Sequence, residues 1–222
     1  MKIDFFKKIV IISVLVSLAI LSDLVSGMIF FSMPFGGKIM KLSFIILFLS
    51  GFILGFKTGF IICFFYSFFH IGKFFYRLSS VDKLFNFNLQ DVFLSMLFDY
   101  ILPDIVISFS GIKQKVLNKN IKDKFYNKSY EIFRILKLMF IISFFRFLFF
   151  FTSSYYVYFS KIKSKIDISN KINYFISLFS GDNLLLFCFL YCFIPVFVNF
   201  FLSSLFIILF NYRIKNALEK YN

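Results

Sequence analysis

Tryptophan is absent from this 222-residue chain, and proline (3), cysteine (3) and histidine (1) are scarce. The lone histidine, His70, and three cysteines without ligand spacing exclude a Cys/His zinc site and a secreted disulfide framework. Charge is also short: 16% of residues are charged, against about a quarter in soluble domains. Acidic residues are the scarcer sign, 11 against 25 Lys+Arg, which leaves a formal charge of +14. No phosphate-cradling G-x-x-x-x-G-K-[ST] loop occurs. The nearest approach, Gly51 to Thr58, has the wrong spacing, so the chain holds no motif for hydrolysing ATP itself. H-E-x-x-H is missing, and no Ser or Cys has a base in a recognisable arrangement. The paired carboxylates or Ser/His sets of intramembrane proteases, and the clustered carboxylates of phosphatidyl transferases, are missing too. The expectation is a protein that is not an enzyme and carries neither metal nor cofactor.

What is present is apolar. Hydrophobic residues make up 60% of the chain, mean hydropathy is +0.86, and 41 residues are Phe. A membrane span needs roughly 20 apolar residues to cross about 30 Å of hydrocarbon. Residues 9–31, 92–112, 135–158 and 184–210 each meet that requirement. The run 42–72 is too long for one span and is punctuated by Gly51, Gly55, Lys57 and Gly59. It divides into spans at 42–55 and 59–72 with a turn near Phe56 and Lys57. The fold expected is all-α: a single integral membrane domain over residues 1–222 with six transmembrane helices.

The N-terminal run is read as the first span, being longer than a signal-peptide core and lacking a small-residue cleavage site. With the N-terminus inside, 15 basic residues fall on the cytoplasmic side and 9 outside, Arg146 lying within a span. This positive-inside bias places both termini in the cytoplasm. Basic residues in short loops beside apolar spans suit lipid headgroups, and no nucleic-acid recognition module is visible.

Charges inside spans carry the most information, because each costs about 2.5–3.5 kcal/mol at the bilayer centre. Four occur: Asp23, Asp99, Asp104 and Arg146. Pro103 removes the N–H that would bond the Asp99 carbonyl in an unbroken helix, so a carboxylate and a freed carbonyl fall together. Such a break is tolerated at depth beside protein or a wet cavity, which points to a polar pocket at Asp99. The alternative is that Asp99 or Asp104 neutralises Arg146 as an ion pair. His70, near a span end, is expected at the interface, and Cys63, Cys188 and Cys192 as lipid-facing or core thiols. The loop Ser32 to Lys38 contains Pro34, Gly36 and Gly37 and reads as a turn or a lid over a ligand. Ser13 and Ser17, four apart on the first span, present small side chains suited to docking a partner helix.

Three segments, taken in order, resemble the thiamine-specific substrate-binding S-components of energy-coupling factor (ECF) vitamin transporters. Met33-Pro34-Phe35-Gly36-Gly37-Lys38, then Ser43 and Gly55-Phe56-Lys57-Thr58-Gly59, is similar to that family's first pattern. Phe98-Asp99-Tyr100 with Ser110-Gly111 is similar to its acidic-Tyr motif, and Arg146 to Phe150 to its span-five run. Phe150 replaces the family's histidine there, the acid is the shorter Asp99, and Tyr191 is followed by Val196, with Asn199 three positions beyond.

The resemblance implies an S-component-like bundle in the cell membrane, capturing thiamine from outside for uptake. It also implies partners: a membrane scaffold T-component and two cytoplasmic ATPases. Asp99 would face the thiazolium cation, Tyr100 and Tyr191 would hydrogen-bond, and Tyr158 would stack as a wall, with Phe150, Asn199 and Gly37 completing the site. Aromatic faces add about 0.5–2 kcal/mol of cation–π attraction. Arg146 is expected to pair with an Asp. The rival readings are an S-component for another vitamin or a thiamine precursor, and a non-transporting six-helix scaffold in which Asp99, Asp104 and Arg146 form a buried network.

Overall fold

Long apolar runs without water must satisfy their backbone groups internally, and this chain does so with helices. The computed structural model describes residues 5–30, 33, 37–85, 87–112, 128–159, 161 and 183–221. Among the described residues six helical segments follow one another: α1 (Phe5–Ile29), α2 (Ser43–Leu54), α3 (Phe56–Phe85), α4 (Leu89–Gly111), α5 (Lys128–Ser153) and α6 (Leu184–Tyr221). Five of them are long and apolar enough to cross a membrane. The exception is α2, whose 12 residues span about 18 Å at 1.5 Å per residue, short of the hydrocarbon core. The segment expected as a span over 42–55 is therefore a short apolar helix.

Its neighbours explain that helix. Ser43, Phe44, Leu47, Phe48, Ser50, Gly51 and Phe52 are all buried, so α2 is enclosed on most of its circumference by α1, α3, α4 and α6. Phe44, Leu47, Phe48 and Phe52 join Ile62, Cys63 and Tyr66 of α3, Ile107 of α4, Met139 and Ile142 of α5 and Ile207 of α6 in one core. The outer surface is equally apolar: Val14, Leu18, Phe65, Phe68, Phe144, Phe201 and Leu209 are exposed, while Asp23, His70, Asp104 and Arg146 are buried. Polar inside and apolar outside is the arrangement that lipid, not water, favours.

The α2–α3 turn falls at Gly55, one residue before the expected position, and α3 continues to Phe85 instead of stopping near Gly72. Gly55 has φ 86°, a left-handed conformation that glycine adopts without steric penalty. Beyond the turn the helices touch: a Cβ on Gly59 would lie 2.6 Å from the Gly51 Cα. A capping box at Asn88 and Asp91 starts α4, with the Asn88 N–H donating to Asp91 Oδ2 at 2.7 Å. Asn183 starts α6, its Oδ1 accepting from the Leu186 N–H at 3.1 Å.

Two π-helical turns interrupt the regular winding. One, Met96–Ile101, lies inside α4, and the other, Ser154–Phe159, prolongs α5. The first corrects the Pro103 expectation. Instead of breaking the helix, the chain widens ahead of the proline, with the Leu102 N–H donating to the Leu97 carbonyl, and Pro103 sits in the first turn of the next α segment, where no N–H is needed. Ser32, Pro34, Phe35 and Gly36 of the expected lid, and the loop charges between 113 and 127 and between 162 and 182, lie outside the described residues.

Candidate functional site

Both π turns face one cavity of about 210 Å³ beside the α1–α2 connection. Asp99 and Tyr100 reach it from the first and Ser154 and Tyr158 from the second, in keeping with the frequent use of π-bulges at functional sites. All seven residues expected to bind ligand line it: Gly37, Asp99, Tyr100, Phe150, Tyr158, Tyr191 and Asn199. Its size lies below the roughly 300–1,000 Å³ of drug-sized pockets, so it suits a small solute.

At one wall, Ser95 Oγ donates to Asp99 Oδ2 at 2.8 Å and lies 2.9 Å from the Tyr158 hydroxyl. Ser95 is one helical turn before Asp99, so this spacing was legible in the sequence although it had not been singled out. The wall continues in aromatic rings: Phe74 packs at a tilt of 46° against Tyr100, 5.2 Å between centroids, and Phe187 at 37° against Tyr191, 5.8 Å apart.

Met33, Gly37, Lys38 and Lys41 of the connection between α1 and α2 line the cavity. Met33 donates its N–H to the Gly37 carbonyl at 2.6 Å. A Cβ on Gly37 would come 2.8 Å from the Tyr191 hydroxyl, so a larger residue must push one of the two aside. Asn199 holds the exit of this segment: its Oδ1 accepts from the Lys41 N–H at 2.7 Å, and its Nδ2 donates to the carbonyls of Ile39 at 3.1 Å and Pro195 at 2.6 Å. Backbone groups thus occupy both ends of the Asn199 amide, which positions the segment.

Four basic side chains line the cavity: Arg146, and Lys38, Lys41 and Lys73, which lie outside the six expected spans and fall among the nine basic residues expected on the outer side. Lys38 Nζ lies 3.0 Å from Asp23 Oδ1 and also donates to the Asp23 carbonyl at 2.5 Å, while Lys73 Nζ lies 2.5 Å from Asp23 Oδ2. Asp23, fully buried, is therefore the anchor of two lysines. Burial pushes the Lys38 ammonium down to about 8, against the attraction of Asp23, and burial also pushes Lys41 down.

His70, expected at the interface, is buried within the helix bundle. It is 3% exposed and lines the cavity, with Nδ1 2.6 Å from Asp104 Oδ2 and Nε2 3.0 Å from the Tyr66 hydroxyl. Tyr66, His70 and Lys73 recur at helical spacing on α3, a pattern that a single histidine does not reveal by itself. Since Asp104 is taken by His70, the expected pairing of Arg146 with an Asp does not occur. Among the described residues no carboxylate lies within ion-pair distance of Arg146, and its guanidinium instead lies over the rings of Phe44 (4.6 Å) and Phe150 (5.6 Å). The scaffold reading built on an Asp99–Asp104–Arg146 network loses that network.

Cys63, Cys188 and Cys192 are buried free thiols, and Cys192 borders the cavity. Ser13 and Ser17 are exposed together on the outer face of α1. Among the described residues no three His, Cys, Asp or Glu side chains group as a metal site. No protein-family model, curated protein or solved structure matches the chain.

Proposed function

We propose that the protein is a solute-capturing membrane subunit of the S-component type, with thiamine as the solute named by its sequence motifs. In this reading it takes the solute from outside the cell into the cavity under the α1–α2 connection. A membrane scaffold subunit and two cytoplasmic ATPases would then drive release inward. It performs no chemistry of its own, places six helices in the cell membrane with the short α2 enclosed by its neighbours, and keeps both termini in the cytoplasm. The exposed α1 face carrying Ser13 and Ser17 is where the scaffold would dock.

The observation that carries the reading is the convergence of Asp99, Tyr100, Tyr158 and Tyr191, drawn from three helices, on one cavity. A carboxylate held by Ser95 among aromatic rings attracts a ring cation more strongly there than in water, because little solvent screens it. A second reading, favoured by the four basic side chains on the same walls, is capture of another vitamin or of a thiamine precursor.

Calorimetry of the purified full chain with thiamine, wild type beside Asp99→Asn, tests the proposal without relying on tryptophan fluorescence. Tight binding lost in the variant is the expected result. A folded protein that gives no heat with thiamine overturns the thiamine assignment.

A further inference from the structure

The cavity walls carry more positive charge than their carboxylates neutralise. Lys38 and Lys73 share Asp23, and Asp104 faces His70. Asp99 is bonded by Ser95. Two cations remain. Arg146, 3% exposed, has no hydrogen-bond partner for Nε and no ion pair among the described residues. Lys41 uses its backbone N–H on Asn199, and its ammonium has no carboxylate within ion-pair distance among the described residues. With Asp104 included, the four Lys and Arg side chains still outnumber the three carboxylates around this space.

A buried, unpartnered guanidinium is costly to the fold and persists where a ligand completes it. Arg146 also has the right chemistry, since its planar fork matches the two oxygens of a carboxylate or phosphate, with Lys41 as a second point charge. We propose that Arg146 and Lys41 form an anion subsite in this cavity, and that the captured solute carries a carboxylate or phosphate group seated there, with its ring against Phe150, Tyr100 and Tyr191. The inference rests on the cavity being a solute site, and it specifies the solute's charge: a phosphorylated or carboxylated relative of thiamine in place of thiamine itself, which carries neither group. The bound molecule is then bipolar or anionic, its cationic or ring portion toward Asp99.

The test is thermal unfolding of the purified full chain in nanodiscs of phosphatidylcholine alone, titrated with inorganic phosphate or acetate against chloride at constant ionic strength. The expected result is a rise in midpoint with phosphate or acetate over chloride, abolished in Arg146→Gln, reduced in Lys41→Gln and retained in Arg146→Lys. Matched ligand pairs extend it: thiamine monophosphate is expected to bind at least about tenfold tighter than thiamine, and nicotinate tighter than nicotinamide, with both preferences lost in Arg146→Gln; tenfold corresponds to 1.4 kcal/mol. An equal response to chloride, or a phosphate response unchanged in Arg146→Gln, overturns the subsite. A shift appearing only when phosphatidylglycerol replaces phosphatidylcholine, with none from phosphate, assigns the cations to a lipid headgroup and overturns the solute assignment. Thiamine binding without any anion response leaves the capture reading standing and removes this one. An anion response without binding of either thiamine compound does the reverse for thiamine.

Discussion

The Arg146 guanidinium lies 4.6 Å from the centre of the Phe44 ring, inside the helix bundle, with no carboxylate opposite it among the described residues. The ring offers a cation part of what water would, about 2 kcal/mol when desolvated, and leaves its N–H donors unfilled. Arg146→Met is therefore expected to raise the unfolding midpoint of the ligand-free protein, by about 1–2 kcal/mol of stability, while removing the anion response. A lower midpoint for this variant in detergent would show that the arginine is already satisfied within the fold.

Asp23 stands in the opposite situation, since it is fully buried between Lys38 and Lys73. Removing the carboxylate leaves two cations facing each other, and Asp23→Asn is expected to lose about 3–5 kcal/mol. The double variant Asp23→Asn with Lys38→Met should regain part of that loss, as a double-mutant cycle on unfolding midpoints will show.

Lys38 gives the protein a pH signature. Burial holds its ammonium down to about 8, whereas the unfolded chain keeps the ordinary value of 10.5. Between those values the unfolded chain binds a proton that the folded one does not, so this residue's contribution to stability rises with pH through that window and is flat below it. Comparing midpoints of wild type and Lys38→Met from pH 7 to 10 should show the wild type gaining relative to the variant. Parallel curves would place the Lys38 charge elsewhere.

Gly59 has no room for a side chain, because a Cβ there would approach the Gly51 Cα to 2.6 Å. Gly59→Val is expected to separate α2 from α3 and destabilise by about 1–3 kcal/mol, seen as lower yield and a lower midpoint. Gly72→Ala, at a position with nothing within 4 Å, is the matched control and should be neutral or slightly stabilising.

At the aspartate end of the cavity, Ser95→Ala removes the hydroxyl that bonds Asp99 and meets Tyr158. A hydrogen bond to a charged group contributes about 1.5–3 kcal/mol, so a cationic ligand held by Asp99 should bind at least tenfold more weakly in calorimetry. Unchanged affinity would separate Asp99 from ligand binding.

The helices were readable because lipid-length apolar runs are long signals that tertiary contacts cannot reverse, and the Gly51–Gly59 stretch announced a turn. The length of α2 was not readable: an apolar run reads alike whether it faces lipid or is enclosed by neighbouring helices, and only the packing of α1, α3, α4 and α6 around Ser43–Leu54 separates the two. Motif order points to Asp99, Tyr100, Phe150, Tyr158 and Tyr191 of the cavity but not to Asp23, Phe74 or Phe187, and the sequence places Lys41, Lys73 and His70 in loops or at the interface. Their positions at or beyond the ends of the expected spans give no hint that the chain folds them inward.

Composition and the spacing of apolar runs by themselves determined an all-helical protein suited to a membrane, since in lipid a helix satisfies its own backbone wherever its neighbours lie. They also determined which charges would be expensive. Which charges meet is a property of the tertiary structure alone: Asp104 meets His70 from 34 residues away and Lys73 meets Asp23 from 50, leaving Arg146 without a carboxylate among the described residues. Pairing depends on distances of a few ångströms between helices remote in sequence, and no local pattern encodes them.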